Sequence, residues 1–250
     1  GLSPQEIERF CKNFSNVPVV SYAVQAPGVS AFLADNMEGM RSVIRHLIEE
    51  HKYKRIAFIR GLSGQVEAEA RFEAYKAELK AHKIAFDENL VVSGDYSSES
   101  GRAAVRILMD ERKVSFDAIA AANDRMAFGA METLQQRGVK VPDSVALTGF
   151  DDVREAQSMG VPLTTVYQSF YGAGRKVFQS LMKRIDGEKF EPVTILPTQL
   201  VVRWSCGCLP ESVTRLVVLP KDVAHTGRLE NKRESAIRAL FSAGEIPEND

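Results

Sequence analysis

Residues Phe116 to Asp152, FDAIAAANDRMAFGAMETLQQRGVKVPDSVALTGFDD, run apolar strand, polar turn, helix, glycine turn, second apolar strand, acidic turn. A strand that is apolar throughout must be covered on both faces, and a helix lying between two such strands supplies that cover. This restricts the chain to a parallel sheet with right-handed crossovers. Open parallel sheets bind small ligands in the crevice beyond the carboxyl ends of their strands. Here each turn puts hydrogen-bonding side chains at that end, so the segment is both a fold signature and a candidate site.

The same alternation extends upstream. Arg55 to Arg60 reads as a strand, Val66 to His82 as a helix with Phe72, Tyr75 and Leu79 on one face, Leu90 to Ser93 as a strand, and Ser98 to Glu111 as a helix. Phe116 to Ala121 and Val145 to Thr148 are strands flanking a helix over Asp124 to Arg137, with Gly138 at its C-cap. Before this block, a polar helix fills Gly1 to Asn13, Val17 to Val20 opens a strand, and Val29 to Ala34 is a second, short one. Met37, Met40, Val43, Ile44, Leu47 and Ile48 form a helical stripe that fits either a dimer surface or ordinary core packing. After Asp151 come a strand at Leu163 to Val166, a helix from Phe170 to Ile185, and a long strand from Val193 to Val202 interrupted by Pro197. Beyond it, Leu216 to Leu219 reads as a short strand and Arg228 to Phe241 as a charged helix.

Residues 54–160 therefore make a self-sufficient lobe of four strands. The strands at 17–22 and 163–167 lack such a run, and a lobe built from them alone leaves open sheet edges. The expected organisation is a partial N-terminal lobe from 1–53 and 161–190, a C-terminal lobe from 54–160 and 191–205, and an extension over 206–250.

The 250 residues carry 32 Lys and Arg against 33 Asp and Glu, so no global field draws nucleic acid. No apolar run reaches the roughly 18 residues of a membrane span. Three cysteines, Cys11, Cys206 and Cys208, fit a reducing, cytoplasmic setting. Cys206-Gly207-Cys208 has half the ligands of a metal site, but no second Cys/His pair sits at zinc spacing, and C-x-C is not the redox C-x-x-C. The favoured reading is two ordinary thiols and no metal. His46, His51, His82 and His225 fall at helix ends or in the tail, away from any Ser or Cys nucleophile in the pattern.

The phrases AANDRMAFGAM, GVKVPDSVALTGFDD, PLTTVYQ and DN…GM…VIRHLIEEHKYKRIAFIRG, in this order, resemble the effector-binding domain of the lactose/galactose repressor (LacI/GalR) family from about Pro18 to Arg203. The resemblance implies an α/β fold of the periplasmic-binding-protein type I class. Two lobes of doubly wound parallel sheet are joined by three crossover strands, a small ligand lies between them, and the first lobe is incomplete in this chain. It also implies a homodimer, no cofactor and no enzymatic activity. DNA would be reached only through an N-terminal headpiece that this chain lacks. The Ser-Cys-Gly-Cys ending resembles related sensor domains fused to signalling outputs, which points to a possible fused output domain after the sensor.

Four strand ends share one rim and carry Gly61 to Gly64 with Arg71, then Tyr96, then Asn123, then Asp151. The family's effector-contacting positions in this lobe match Arg71, Tyr96, Asn123 and Asp151, and its effectors include sugars, nucleosides and purines. Those residue types suit a polyhydroxylated ligand. Asp151 accepts two hydroxyl protons, Asn123 offers a donor and an acceptor, Arg71 donates in a fixed fork, and Tyr96 covers an apolar sugar face. Each has a plainer reading: Asn123 as helix cap, Arg71 as partner of Glu67 and Glu69, Asp151 as holder of its turn, Tyr96 as rim packing. Gln65 and Glu67 face the cleft, Ser21 is the candidate from the partial lobe, and Gln168 suits the hinge. Gly61 to Gly64 lacks the spacing and the Lys of a phosphate loop. The rival to a sensor is an exported solute-binding protein serving a transporter or chemoreceptor; the unpaired cysteines and the charged extension speak against it.

Overall fold

Strand sequences such as IAFI and AIAA have no polar face to offer water, and in the structure all their residues are buried. The computed structural model describes residues 4–14, 17–188 and 191–208. The expected strand at 216–219 and helix at 228–241 lie outside the described residues.

In chain order the elements are α1 (Pro4–Asn13), β1 (Val20–Tyr22), β2 (Ser30–Ala34), α2 (Asn36–Glu49), β3 (Ile56–Ile59), α3 (Val66–Ala81), β4 (Val91–Val92) and α4 (Ser98–Arg106). There follow β5 (Ala118–Ala121), α5 (Asp124–Gln136), β6 (Ala146–Thr148), α6 (Glu155–Ser158), β7 (Thr165–Gln168), α7 (Phe170–Ile185), β8 (Val193–Leu196) and β9 (Thr198–Val201). The larger sheet is parallel with order β4-β3-β5-β6, the doubly wound arrangement expected. A smaller parallel sheet has order β1-β2-β8, and β7 pairs antiparallel with β9.

One core holds the larger sheet and its helices. Phe58 stacks on Tyr75 at 4.7 Å between ring centres, and the Tyr75 hydroxyl donates to the Ile56 carbonyl. Burying side chains of this size contributes roughly 1.5–3 kcal/mol each. Helices α4 and α5 cross at two glycines. A Cβ on Gly101 would stand 2.0 Å from the Met126 carbonyl oxygen, and one on Gly129 would stand 1.9 Å from that of Ser98. Only hydrogen fits there, which sets how closely α5 sits and where its first turn points.

Three lobe assignments need correction. The buried stripe of α2 (Met40, Val43, Ile44, Leu47, Ile48) joins the core of the larger sheet, so the boundary lies before α2 and not at residue 53. This also accounts for the stripe by core packing. Residues 163–168 extend the edge of the larger sheet: Thr164 bridges Thr148 in parallel, and the Asp151 amide donates to the Val166 carbonyl. The long strand over 193–202 is two strands. Val193–Leu196 pairs with β2 in the smaller sheet, and Thr198–Val201 turns away to pair with β7. Pro197, which has no amide hydrogen for a ladder, stands at the switch.

The chain thus passes between the two sheets three times: through α2, from β7 into α7, and from β8 into β9. The smaller sheet is the less covered one. Tyr171, Phe178, Met182 and Ile185 on one face of α7 are exposed. Among the described residues no helix is long and apolar enough to cross a membrane.

Candidate functional site

Arg71 lies in the second turn of α3 and is only 3% exposed. Its Nε donates to Asn36 Oδ1 at 2.7 Å and its Nη1 to the Ala122 carbonyl at 2.6 Å. The guanidinium carbon sits 3.8 Å from the centre of the Phe150 ring, a cation–π seat. Asn36, the first residue of α2, is aimed by its own Nδ2, which donates to the Ala34 carbonyl. Helix capping is handled by Asp35, which accepts from the Glu38 amide. Three separate segments therefore fix one planar cation.

Asp151 stands beside it, with Oδ1 3.8 Å from Arg71 Nη1 and accepting from Gln168 Nε2 at 2.5 Å. Burial pushes its pKa up to about 6; Arg71 and Gln168 oppose that shift and only limit it. The backbone at Asp151 has φ 120° and at Asp152 φ 50°, and Tyr96 has φ 70°. Non-glycine residues adopt positive φ rarely, at a cost of roughly 1–3 kcal/mol each. The turns after β4 and β6 are thus held in costly shapes at the rim. Asp124 anchors the second of them. Its carboxylate accepts from Thr165 Oγ1 and the Val153 amide, and burial pushes its pKa up to about 7.

Asn123 is the N-cap of α5, accepting from the Met126 amide at 2.9 Å, and its Nδ2 donates to the Tyr96 carbonyl at 3.1 Å. The capping reading therefore holds, and one amide hydrogen and one lone pair remain for anything else. The Tyr96 ring packs over Gly61, and its hydroxyl is buried with no hydrogen-bond partner among the described residues. Burial raises its pKa, Arg71 opposes that rise, and the nearby Glu67 and Asp151 add to it.

The facing wall comes from β1 and the N-terminal end of α3. Ser21, Tyr22, Gln65 and Glu67 line a cavity of about 700 Å³ that Ile7 and Phe10 of α1 also border. Arg71, Tyr96, Asn123 and Asp151 are not among its lining residues. Ser21 Oγ donates to the Val24 carbonyl, so its hydroxyl is turned into its own loop. Glu67 Oε1 accepts from Asn36 Nδ2 at 3.4 Å, which ties this wall to the Arg71 cluster. Tyr22 connects the two. Burial raises its pKa first, then Glu67 and Asp151. Tyr22 also lines a second cavity of about 200 Å³ together with Gln168.

The structure thus brings Arg71, Asp151, Tyr96 and Glu67 around one region, with Asn123 mainly structural and Ser21 and Gln65 on the adjoining cavity. Sequence reasoning missed Asn36, Phe150 and Tyr22. Asn36 left a signal: its amide is surplus to a helix start already capped by Asp35. Gln168 lies at the end of β7 and holds Asp151.

A second cluster corrects the reading of the thiols and histidines. His46 Nε2 lies 3.4 Å from Cys206 Sγ and 3.5 Å from Cys208 Sγ, and His51 Nε2 lies 3.3 Å from Cys208 Sγ. These pairs are about 160 residues apart in sequence, which is why spacing rules could not find them. His46 is ten residues along α2 from Asn36, about 15 Å at 1.5 Å per residue, so this cluster is separate from the Arg71 region.

A family model described as a periplasmic binding protein-like domain matches residues 44–206. The HTH-type transcriptional regulator CelR of Thermobifida fusca is 40% identical over 172 residues, 68% of this chain and 50% of that protein. A solved complex of the transcriptional regulator CelR with cellobiose superposes with a TM-score of 0.74 at 34% identity, covering 82% of this chain and 63% of that one. A lac repressor dimer bound to operator and the anti-inducer ONPF superposes with a TM-score of 0.74 at 26% identity, covering 82% and 61%. The chain spans about half the length of the curated relatives it matches.

Proposed function

Because this chain belongs to the LacI/GalR family of effector-binding domains, built on the periplasmic-binding-protein-like fold, we propose that it senses a carbohydrate and reports it by lobe closure. The observation that carries this reading is the Arg71–Asp151 pair. A structural ion pair closes to about 2.8 Å, and a buried pair held open leaves its desolvation cost uncompensated. Here the two groups stand 3.8 Å apart, with Arg71 pinned to Asn36, Ala122 and Phe150. Such an arrangement keeps donor and acceptor capacity for a ligand.

Sugar hydroxyls donate to Asp151 and accept from Arg71, while Tyr96 and Tyr22 cover C–H faces. Glu67 and Gln65 supply further acceptors and donors from the wall beside β1. A ligand that touches both walls favours closure only by its differential affinity for the closed form. The three crossovers act as the hinge. The proposed role is binding, and the Ser21 hydroxyl, committed to its own loop, fits that reading. In the intact protein, closure would alter a homodimer in the cytoplasm and through it an attached DNA-binding or signalling part. The CelR–cellobiose complex favours a sugar over a nucleoside.

Calorimetric titration of the intact protein with β-linked disaccharides, pentoses and nucleosides tests the reading. A sugar should bind, and Arg71→Ala and Asp151→Ala should each weaken it at least ~30-fold, as expected for losing one or two charged hydrogen bonds. Unchanged affinity in both variants overturns the site.

A further inference from the structure

The cluster at the far end of α2 lies apart from the Arg71 region and is held in place by its surroundings. His46 sits in the last turn of α2 and His51 just beyond it. Cys206 ends a short 3₁₀ turn at Trp204–Cys206, and Cys208 follows Gly207. The four ligand atoms, two imidazole nitrogens and two sulfurs, all lie within 4.8 Å of one another. His46 Nε2 faces both sulfurs, and Cys208 Sγ faces both imidazoles, at 3.3–3.5 Å. A tetrahedral zinc ion with Zn–S near 2.3 Å and Zn–N near 2.0–2.1 Å sets its S···N edges at about 3.6 Å. Three of the four sulfur–nitrogen separations, at 3.3–3.5 Å, lie close to that edge, and the whole set spans no more than 4.8 Å.

The surroundings hold this geometry. Gly207 has φ 104°, the left-handed turn that brings two thiols one residue apart to the same side. A Cβ there would lie 3.3 Å from the His51 ring. His51 stacks on Tyr53 and meets His46 edge-on. The approach to Cys206 is anchored at several points. Arg203 pairs with Asp152 and donates to the Leu163 carbonyl, and buried Ser205 donates to the Leu147 carbonyl while accepting from the Thr164 amide. Cys206 is fully buried, so it is no accessible nucleophile or redox thiol.

We propose that His46, His51, Cys206 and Cys208 bind one zinc ion in a closed structural site. Four protein ligands leave no open position for substrate, which separates structural from catalytic zinc. Two thiolates with two imidazoles select zinc over magnesium or calcium. The ion fastens the last described turn, the end of the unit spanning Gly1–Pro210, to the end of the first crossover helix. Because binding favours the folded state, the metal also adds to stability.

The test is elemental analysis of the untagged intact protein purified under reducing conditions without chelator. The expected result is one zinc per chain, lost in Cys208→Ser and in His51→Gln while circular dichroism shows the fold retained. Cobalt in its place should show the visible bands of tetrahedral thiolate coordination, and chelation should lower the melting temperature. Metal-free protein that takes up neither zinc nor cobalt, or zinc content unchanged in both variants, overturns the proposal. So does a Cys206–Cys208 disulfide as the stable native form. Sugar binding that survives zinc loss keeps this result distinct from the sensor reading.

Discussion

Replacing Asp151 with asparagine should stabilise the protein and weaken its ligand at the same time. Burial raises the Asp151 pKa from its ordinary 3.8 to about 6, already net of the opposing help from Arg71 and Gln168. The folded state therefore prefers the protonated acid. Its contribution is fully favourable below pH 4 and is lost as pH rises through 6. A rise from 3.8 to about 6 corresponds to about 3 kcal/mol withheld from stability at pH 8. Asparagine is nearly isosteric, can still accept from Gln168, tolerates the φ of 120° better than most residues, and carries no charge to desolvate. Urea denaturation should show a gain of about 2–3 kcal/mol at pH 8 that vanishes near pH 4. The same change replaces a charged acceptor by an amide that presents a donor to one of two sugar hydroxyls. At roughly 1.5–3 kcal/mol per charged hydrogen bond, affinity should fall about 10–150-fold. A variant less stable than the parent at pH 8, or one with unchanged affinity, refutes the reasoning: Asp151 would then be a structural ion-pair member.

Other expectations follow from the same geometry. Sugar affinity in the unaltered protein should fall as pH drops below 6, approaching about ten-fold per unit, because ligand hydroxyls need the Asp151 carboxylate; a flat calorimetric profile from pH 5 to 8 contradicts this. Asn36→Ala strips the acceptor from Arg71 Nε and should cost about 10–100-fold in affinity; titration showing less than two-fold would release Asn36 from that role. Carbon-detected NMR should find the Asp124 carboxyl titrating near pH 7, so its share of stability is present below pH 4 and lost as pH rises through 7; titration near 4 would mean that water reaches it. Gly129→Ala places a Cβ against the Ser98 carbonyl and should lower stability by about 2 kcal/mol despite the better helix propensity of alanine; a neutral result in thermal unfolding would show that α4 and α5 can separate without cost.

Local pattern was enough for the α/β class, the four-stranded larger sheet and the rim carrying Arg71, Tyr96, Asn123 and Asp151. Apolar runs, helical stripes and turn residues act within about 15 residues of each other, and each is written directly in the chain. The lobe boundaries were not legible, because a strand broken at Pro197 declares its partner only when two sheets compete for it. The roles within the rim also waited for coordinates. The Asn123 side chain reads alike as cap and as contact until its Oδ1 is seen accepting from Met126, and Asn36 or Tyr22 becomes notable only beside Arg71. The four-ligand cluster is the extreme case. His46 and Cys208 are separated by 162 residues, and no periodicity links them. The packing of α2 against the larger sheet and the anchoring of Ser205 to β6 bring imidazole and thiol together. Spacing along a chain encodes what neighbours can do, whereas distance across a core is set only once every element has found its place.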